Sequence, residues 1–451
     1  MDHIKENVVY ENWKLYCFVF VFSMAVHIVF MNFLSNLSNF DGFGIKITSD
    51  FVHTYEPIAK EIVQWLKNEG NWPHIPGYIL SHLNYILLTS FIYLLFGVGD
   101  IFALINFQIL ITSVLFVLIL HISINNYHSK AVAVIFTCLS ISFYNSMMWV
   151  LWASPESFFR AMFICSFFVL LELYFNKKCI TFFAGVLISF VLLLLIRADT
   201  IVLFLPIYML CIMDIIRLFR VGGKASFIIV SLAGVMLAAI MWIFCDITID
   251  MIKGLAEAFY SYFKEGDVLV SPPSSLITEI VIPFDSSQEG NSIYYIFRAL
   301  KLFLSRVYYF LDIYPLWWTK GHKLYYALFM FPVYVFTVVG LIRSKQTKDR
   351  YFIMYFLVYL SSMILHGLTR VDSPLRNTLT STTCLIMFSG YGFDYLYSKK
   401  RKHLALSSIL LRKGKDGKDN TKGNIRVKSI NSKSKTPEYE RIKYKHYNSR
   451  L

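Results

Sequence analysis

Charge is scarce in this chain. Only 16% of its residues are Asp, Glu, Lys or Arg, against 56% hydrophobic, and the mean hydropathy is +0.55. A soluble domain carries about 25% charged residues, so this composition excludes an ordinary water-soluble globule. Cysteine is also sparse. The seven are Cys17, Cys138, Cys165, Cys179, Cys211, Cys245 and Cys384, all in or at the edge of apolar runs. None forms a CxxC or Cys/His spacing, which leaves no basis for a zinc ribbon or a disulfide framework. They read as small buried hydrophobes. Four motifs are missing outright: a Walker A phosphate loop, GxSxG, HExxH and a regularly spaced arginine run. ATP hydrolysis, serine-hydrolase chemistry, zinc proteolysis and voltage sensing therefore lack their usual machinery.

Net positive charge is nearly absent outside the C-terminal tail. The formal net charge is +14. From Lys399 onward there are 17 Lys/Arg and 4 Asp/Glu, so the tail carries +13 and the other 398 residues about +1. The tail directly follows an apolar run. It reads as a positive-inside anchor on an anionic cytoplasmic leaflet, a contact with membrane lipids. Nucleic-acid binding would need aromatic residues interleaved with the basic ones and a folded module, and neither is present, so no nucleic-acid partner is expected.

What the chain does contain is a succession of long apolar runs, each able to cross a bilayer as a helix. They cover about 15–34, 101–121, 131–151, 158–176, 179–196, 199–217, 226–247, 324–342, 351–369 and 377–397. The first follows Lys5 and Lys14 and has no small-residue cleavage site, so it is expected to be an uncleaved span. Segments 79–97 and 295–316 are apolar and aromatic but less clean. The expected fold class is an all-α polytopic membrane protein with about 10–12 transmembrane helices and a large first external loop. Four regions follow: a transmembrane module 1–247 containing the 35–100 loop, an external or interfacial segment 248–323, C-terminal transmembrane helices 324–398 and the basic tail 399–451.

Basic loops set the orientation. Asn176-Lys177-Lys178, Arg217 to Lys224, Arg343 to Arg350 and the tail fall on one side if the ten clean runs cross. Both termini are then cytoplasmic, and 79–97 and 295–316 are re-entrant or interfacial. The outer side receives the 35–100 loop, the Ala153-Ser154-Pro155-Glu156-Ser157 stretch, Arg197-Ala198-Asp199 and the turn from His366 to Arg376. Polar residues that anchor nothing thus converge on one face.

Within that face, Asp50 stands just after the first run, in Ser49-Asp50-Phe51-Val52-His53-Thr54-Tyr55-Glu56-Pro57. A carboxylate there suits a general base, because it stays ionised near neutrality and meets an acceptor arriving from water. The competing reading is a helix N-cap near Val52. Asp41, beside Gly42 and Gly44, is a turn residue, a second acid or a metal ligand. Arg197, after a leucine-rich run, either grips a phosphate through its paired donors or snorkels to headgroups, and Asp199 is at hand to pair with it. His366, Arg370 and Arg376 cluster in an outer turn, where cations are unusual; they either neutralise a phosphate or are ordinary loop cations. Glu156 opens a span and either complements the helix dipole or binds substrate. His74 and Tyr78, in Trp72-Pro73-His74-Ile75-Pro76-Gly77-Tyr78, and Tyr55 complete the candidates, with interfacial anchoring as their alternative.

In their order along the chain these pieces resemble the GT-C glycosyltransferase superfamily. The likeness is to the bacterial branch akin to dolichyl-phosphate-mannose protein mannosyltransferases and aminoarabinose lipid A transferases. It rests on Asp50, Tyr55 and Ala59 as an Asp-x-x-x-x-Tyr-x-x-x-Ala motif, and on Pro76-Gly77-Tyr78 leading to Phe96-Gly97. Further along it rests on Pro155-Glu156-Ser157, on Arg197, and on the His366, Arg370 and Arg376 turn. It covers roughly residues 10–400. The chain departs from the pattern at Ile75, Ala198 and Asn377, where the family often has Pro, Pro and Tyr. The resemblance implies a GT-C fold and an inverting sugar transfer on the external face. The donor would be a polyprenyl- or dolichyl-phosphate sugar and the acceptor a glycan, lipid or protein. Asp50 would be the catalytic base. Arg197, His366, Arg370 and Arg376 would hold the donor phosphate, with Asp41, Tyr55, His74, Tyr78 and Glu156 near the substrates. No metal ligands are assigned, and some relatives of that branch use a divalent metal while others do not. The site would lie in a multi-pass protein of a bacterial inner membrane. A transporter or flippase of a lipid-linked or anionic solute, or an O-antigen polymerase-like enzyme, are the alternatives. Against the transporter, most charges sit at run ends, and no inverted repeat is visible.

Overall fold

The computed structural model describes residues 2–35, 45–176, 178–197, 199–221, 303–304, 307, 310–311, 320–347, 350–369 and 374–416. The expected span 226–247, most of the segment 248–323, and Asp41 and Arg370 lie outside the described residues. Two compact units divide the chain, Met1–Ser398 and Lys399–Leu451.

The architecture is helical. In order come α1 (Asp2–Leu34), the strand β1 (Lys46–Ile47), a π-helical turn (Phe51–Tyr55), α2 (Glu56–Leu66), a 3-10 turn (Gly77–His82), α3 (Leu83–Phe96) and α4 (Ile101–Asn126). Next are α5 (Lys130–Ser142), α6 (Tyr144–Val150), the strand β2 (Trp152–Ala153), α7 (Glu156–Phe175), α8 (Cys179–Leu194), α9 (Thr200–Leu203) and α10 (Leu205–Val221). Beyond the undescribed stretch follow α11 (Lys320–Thr347), α12 (Arg350–Thr369) and α13 (Pro374–Asp416). The punctuation has local causes. Gly97 and Gly99 adopt φ of +123° and +87°, which ends α3 and lets the chain reverse. Asp100 then caps α4 by accepting from Ala103 N at 2.9 Å.

Among the described residues, four helices are long and apolar enough to cross a membrane: Asn12–Leu34, Ile79–Phe96, Ile101–Asn126 and Glu156–Phe175. The pair α5 and α6, bent by 55°, makes a fifth if counted as one span. The expected run 131–151 is thus broken at Phe143, and 199–217 is broken at Phe204 between α9 and α10. The runs expected at 179–196, 324–342 and 351–369 are helical with shorter apolar stretches, Ile180–Leu194, Ala327–Arg343 and Tyr351–Leu365. The 377–397 run lies within α13, where Thr378, Thr380, Ser381, Thr382 and Thr383 are buried. The outward face of α1 exposes Phe18, Val21, Val29 and Phe33, while Ser23 and His27 are buried inward. Apolar outside and polar inside is the arrangement of a multi-pass membrane protein, because lipid solvates the first and the bundle must satisfy the second. Cys17 and Cys165 also lie exposed, against the expectation of buried cysteines; Cys384 is buried. An apolar surface stabilised by lipid removes the driving force that would put a thiol inside.

The bundle has two distinguishable ends. Tyr16 Oη lies 2.9 Å from His121 Nδ1 and Ser113 Oγ donates to Ser23 Oγ at 3.0 Å, so α1 and α4 run antiparallel. The end of α1 therefore sits with the start of α4. Here too β1 pairs in parallel with β2, Lys46 opposite Trp152 and Ile47 opposite Ala153. This short bridge, absent from the all-α expectation, fixes the α6–α7 elbow beside the segment that follows α1. At the opposite end Asp394 of α13 accepts from His128 N at 2.9 Å and Ser129 N at 3.0 Å, and lies 3.6 Å from Arg343 Nη1 of α11. A carboxylate at the start of α5 complements the helix dipole and clasps three segments together. Glycine permits the same contact: a Cβ on Gly392 would run into the Phe336 carbonyl oxygen and come within 2.7 Å of Gly340 N.

α3 is the exception among the long apolar helices. Asn84 N donates to Leu195 O at 2.9 Å and Asn84 Nδ2 to Leu192 O at 2.7 Å, so α3 begins at the elbow end. It finishes four residues before α4, which starts at that same end. Its two termini share one end of the bundle, despite a length and composition sufficient to span.

Candidate functional site

The first loop reaches the elbow through Thr48. Its Oγ1 donates to Ala153 O at 3.0 Å and accepts from Phe51 N at 3.2 Å. Lys46 N donates to Leu151 O at 3.2 Å, and Lys46 Nζ stands 4.4 Å over the Trp152 ring. Asp50 occupies the N-cap position of the π-helical turn with φ −59° and ψ −37°, yet its side chain makes no cap hydrogen bond. The capping role belongs to Thr48, and the Asp50 side chain is exposed. Five residues on, Tyr55 turns inward and is 3% exposed. Its ring lies 5.0 Å from His82 and 5.8 Å from Tyr85. Tyr55 thus packs inward against the start of α3.

Glu156 and Arg197 make the electrostatic centre. Glu156 opens α7 directly after Pro155, and Arg197 follows the last turn of α8. Arg197 Nη1 is 2.9 Å from Glu156 Oε1 and Nη2 is 2.6 Å from Asp199 Oδ2. The side chains of Glu156, Arg197 and Asp199 are 1%, 12% and 35% exposed, so the pair with Glu156 is the buried one. The guanidinium is therefore held by two carboxylates, and any further anion would have to share or replace one of them. Thr200 Oγ1 donates to Arg197 O at 2.7 Å and His82 Nδ1 lies 3.0 Å from Ile196 O, which pin the backbone that carries the arginine. Gln108 of α4 donates through Nε2 to both Val150 O and Trp152 O at 3.0 Å and accepts from Tyr85 Oη at 3.3 Å. Tyr85 also lies within electrostatic reach of Glu156 and Tyr55.

Of the residues expected at the site, Asp50, Tyr55, Glu156 and Arg197 are gathered at the elbow end. His74 is exposed in the connection between α2 and the 3-10 turn, and among the described residues no hydrogen bond or ion pair ties it to Glu156 or Arg197. Tyr78, His366 and Arg376 have described backbone only. Arg376 lies in the first turn of α13, just before Leu379, which packs with Met148 and Trp149 of α6 near the elbow. Among the described residues no group of three or more His, Cys, Asp or Glu is placed to hold a metal ion.

Sequence reasoning passed over Arg160 and His27 as site residues. Arg160 is one turn after Glu156 and fully buried, with Nη1 donating to Ser146 Oγ at 2.6 Å. Its signal was present in the sequence as a guanidinium inside an apolar run, which by itself marks a functional candidate. Comparison with known protein families, with curated proteins and with solved structures found no match.

Proposed function

We propose that this chain is an inverting glycosyltransferase of GT-C type, drawing its sugar from a polyprenyl-phosphate donor at the elbow end of the bundle. The observation that carries the reading is the convergence there of three segments far apart in sequence: the first loop with Asp50, the α6–α7 elbow with Glu156, and Arg197 after α8. In this reading the exposed Asp50 carboxylate removes the acceptor proton as the hydroxyl or amine attacks the anomeric carbon. The phosphate leaves with its charge balanced by Arg197, assisted by Arg370 or Arg376 from the outer turn. Glu156 and Asp199 orient the guanidinium, and Tyr55 and Tyr85 close the floor. The elbow end faces the external side and the end holding His128 and Arg343 the cytoplasm, because the basic loops follow α7, α10 and α11. The membrane in this reading is a bacterial inner membrane with both termini inside.

The experiment is transfer from a synthetic polyprenyl-phosphate sugar by purified protein in detergent. Asp50→Asn is expected to lower the rate by about 10²–10⁴-fold with unchanged folding. A variant as active as wild type removes Asp50 from the base role. One observation favours a second reading, export of an anionic solute: Arg160 and His27 are buried inside apolar helices, where transporters keep ionisable groups. Uptake of a radiolabelled anion into proteoliposomes, without sugar transfer, would select that reading.

A further inference from the structure

The elbow end contains a polar core that the Glu156–Arg197 pair does not account for. Arg160 is fully buried, and no carboxylate among the described residues forms an ion pair with it. Nη1 is committed to Ser146 Oγ, and the guanidinium faces the Phe116 ring of α4 at 5.3 Å. The remaining edge, Nε with Nη2, has no hydrogen-bond partner. That edge carries two parallel N–H donors, the geometry that takes two oxygens of one oxyanion. Polar atoms along the same bend are in the same condition: Asn145 Oδ1, Ser154 Oγ and Ser157 Oγ are buried without partners. His27 of α1, also buried, lies within electrostatic reach of Arg160. A guanidinium removed from water without a counter-charge strongly disfavours the folded state, and buried polar atoms are nearly always paired. An uncompensated buried cation with an open pair of donors, on a bend that buries further unpartnered polar atoms, indicates a ligand or ordered water in the working protein.

We infer that the Nε–Nη2 edge of Arg160 binds a phosphate-type oxyanion between α1, α4, α6 and α7. Ser146 holds the fork in place from its other side, and the Ser157 hydroxyl, which can donate, is the nearest candidate in sequence to complete the shell. The anion arrives either on a lipid headgroup or free in solution; the recognition chemistry is the same. The inference does not depend on sugar transfer, since an anion exporter would need the same edge.

The test uses the full chain in a phosphate-free maltoside detergent and reads melting temperature against three probes: polyprenyl phosphate, the uncharged polyprenol and inorganic phosphate. Polyprenyl phosphate is expected to stabilise wild type where polyprenol does not, and inorganic phosphate separates the two sources. If it stabilises too, the site takes free oxyanion; if not, it takes a lipid headgroup. Arg160→Met should remove at least half of the shift, any remainder belonging to the contact proposed at Arg197, while leaving the unliganded melting temperature equal or higher, because it removes the uncompensated charge. Arg160→Lys should weaken apparent affinity on the order of tenfold, keeping charge but losing the paired donors. The inference is overturned by no shift from either phosphate, by an equal shift from polyprenol, or by full affinity in Arg160→Lys, which is decisive if Arg160→Met does not fold. Sugar transfer measured on the same wild-type sample separates the two ideas. Binding without transfer keeps this site and removes the proposed reaction; transfer with binding independent of Arg160 does the opposite.

Discussion

Arg197→Ala should destabilise the fold, and Glu156→Gln in the same molecule should restore most of the loss. The reasoning starts from burial. The Glu156 side chain is 1% exposed and its partner 12% exposed, with 2.9 Å between Oε1 and Nη1. At a charge separation of ~4 Å and an effective dielectric of ~20, the pair attracts by about 4 kcal/mol. Deleting the arginine forfeits that and leaves a carboxylate buried without its counter-charge, a change of ~3–5 kcal/mol in comparable sites. Asp199 is 35% exposed, so water screens its contact and Asp199→Asn should change stability by less than ~1 kcal/mol. Removing the charge at Glu156 as well relieves the penalty, so the double variant should lie far closer to wild type than the sum of the singles. The assay is thermal unfolding of the four proteins of the cycle in one detergent. A coupling below ~0.5 kcal/mol would refute the buried pair as a stabilising element. Function separates at the same step. If transfer returns in the double variant, the arginine is structural; if Glu156→Gln alone transfers sugar and the folded double variant does not, the loss belongs to Arg197.

Other outcomes follow from the same contacts. Asp394→Ala should lower stability by ~3–5 kcal/mol, since it removes the acceptor for His128 N and Ser129 N and strands the nearby Arg343; unfolding at the wild-type midpoint would contradict the clasp. Gly392→Ala should cost ~2 kcal/mol or more, because the obstacle is the Phe336 backbone and no rotamer relieves it, whereas Gly70→Ala, with only a Gln64 contact at 3.8 Å, should be nearly silent; equal melting temperatures for the two would count against the α11–α13 crossing. Single cysteines at Ser49 and Ser344 in a cysteine-free background should react with an impermeant maleimide from opposite sides of the membrane, and labelling of both from one side would break the assigned orientation.

The helical, multi-pass character was legible from composition because the bilayer demands long apolar runs, and hydropathy reads these directly. Breaks within runs were not. Phe143 ends α5 without a Pro or Gly, so the 55° bend comes from the tertiary fit of α6 into the elbow and has no local mark. The β1–β2 bridge joins two-residue strands about a hundred positions apart, beyond any periodicity. At the site, Glu156 and Arg197 could each be picked out as polar groups at run ends, but their pairing depends on which helices turn at the same end. Thr48 displaced Asp50 from the cap, an outcome that spacing could not decide because both residues suit the role. Arg160 was legible as an anomaly and was hidden by its position one turn from a more conspicuous acid.

α3 carries the remaining weight in the proposed orientation. By length and composition Ile79–Phe96 qualifies as a span, and counting it as one would invert every later loop relative to Asp50. The contacts argue otherwise. Asn84 and His82 tie its start to residues 192–196, which adjoin Arg197, while Asp100 caps α4 just beyond its end, beside the C-terminal end of α1. A helix that leaves and returns at one end contributes no crossing. α2 lies along it, with Tyr93 Oη donating to Glu56 Oε1 at 3.3 Å, so the two form a layer over the elbow end. α1 and α4 are then successive crossings, and Asp50, Glu156 and Arg197 fall on the side opposite the basic loops after α7 and α11. In the proposed orientation α3 would lie at the membrane surface under the amphipathic α2, and its apolar side chains would offer the proposed lipid-borne donor a surface beside the first loop.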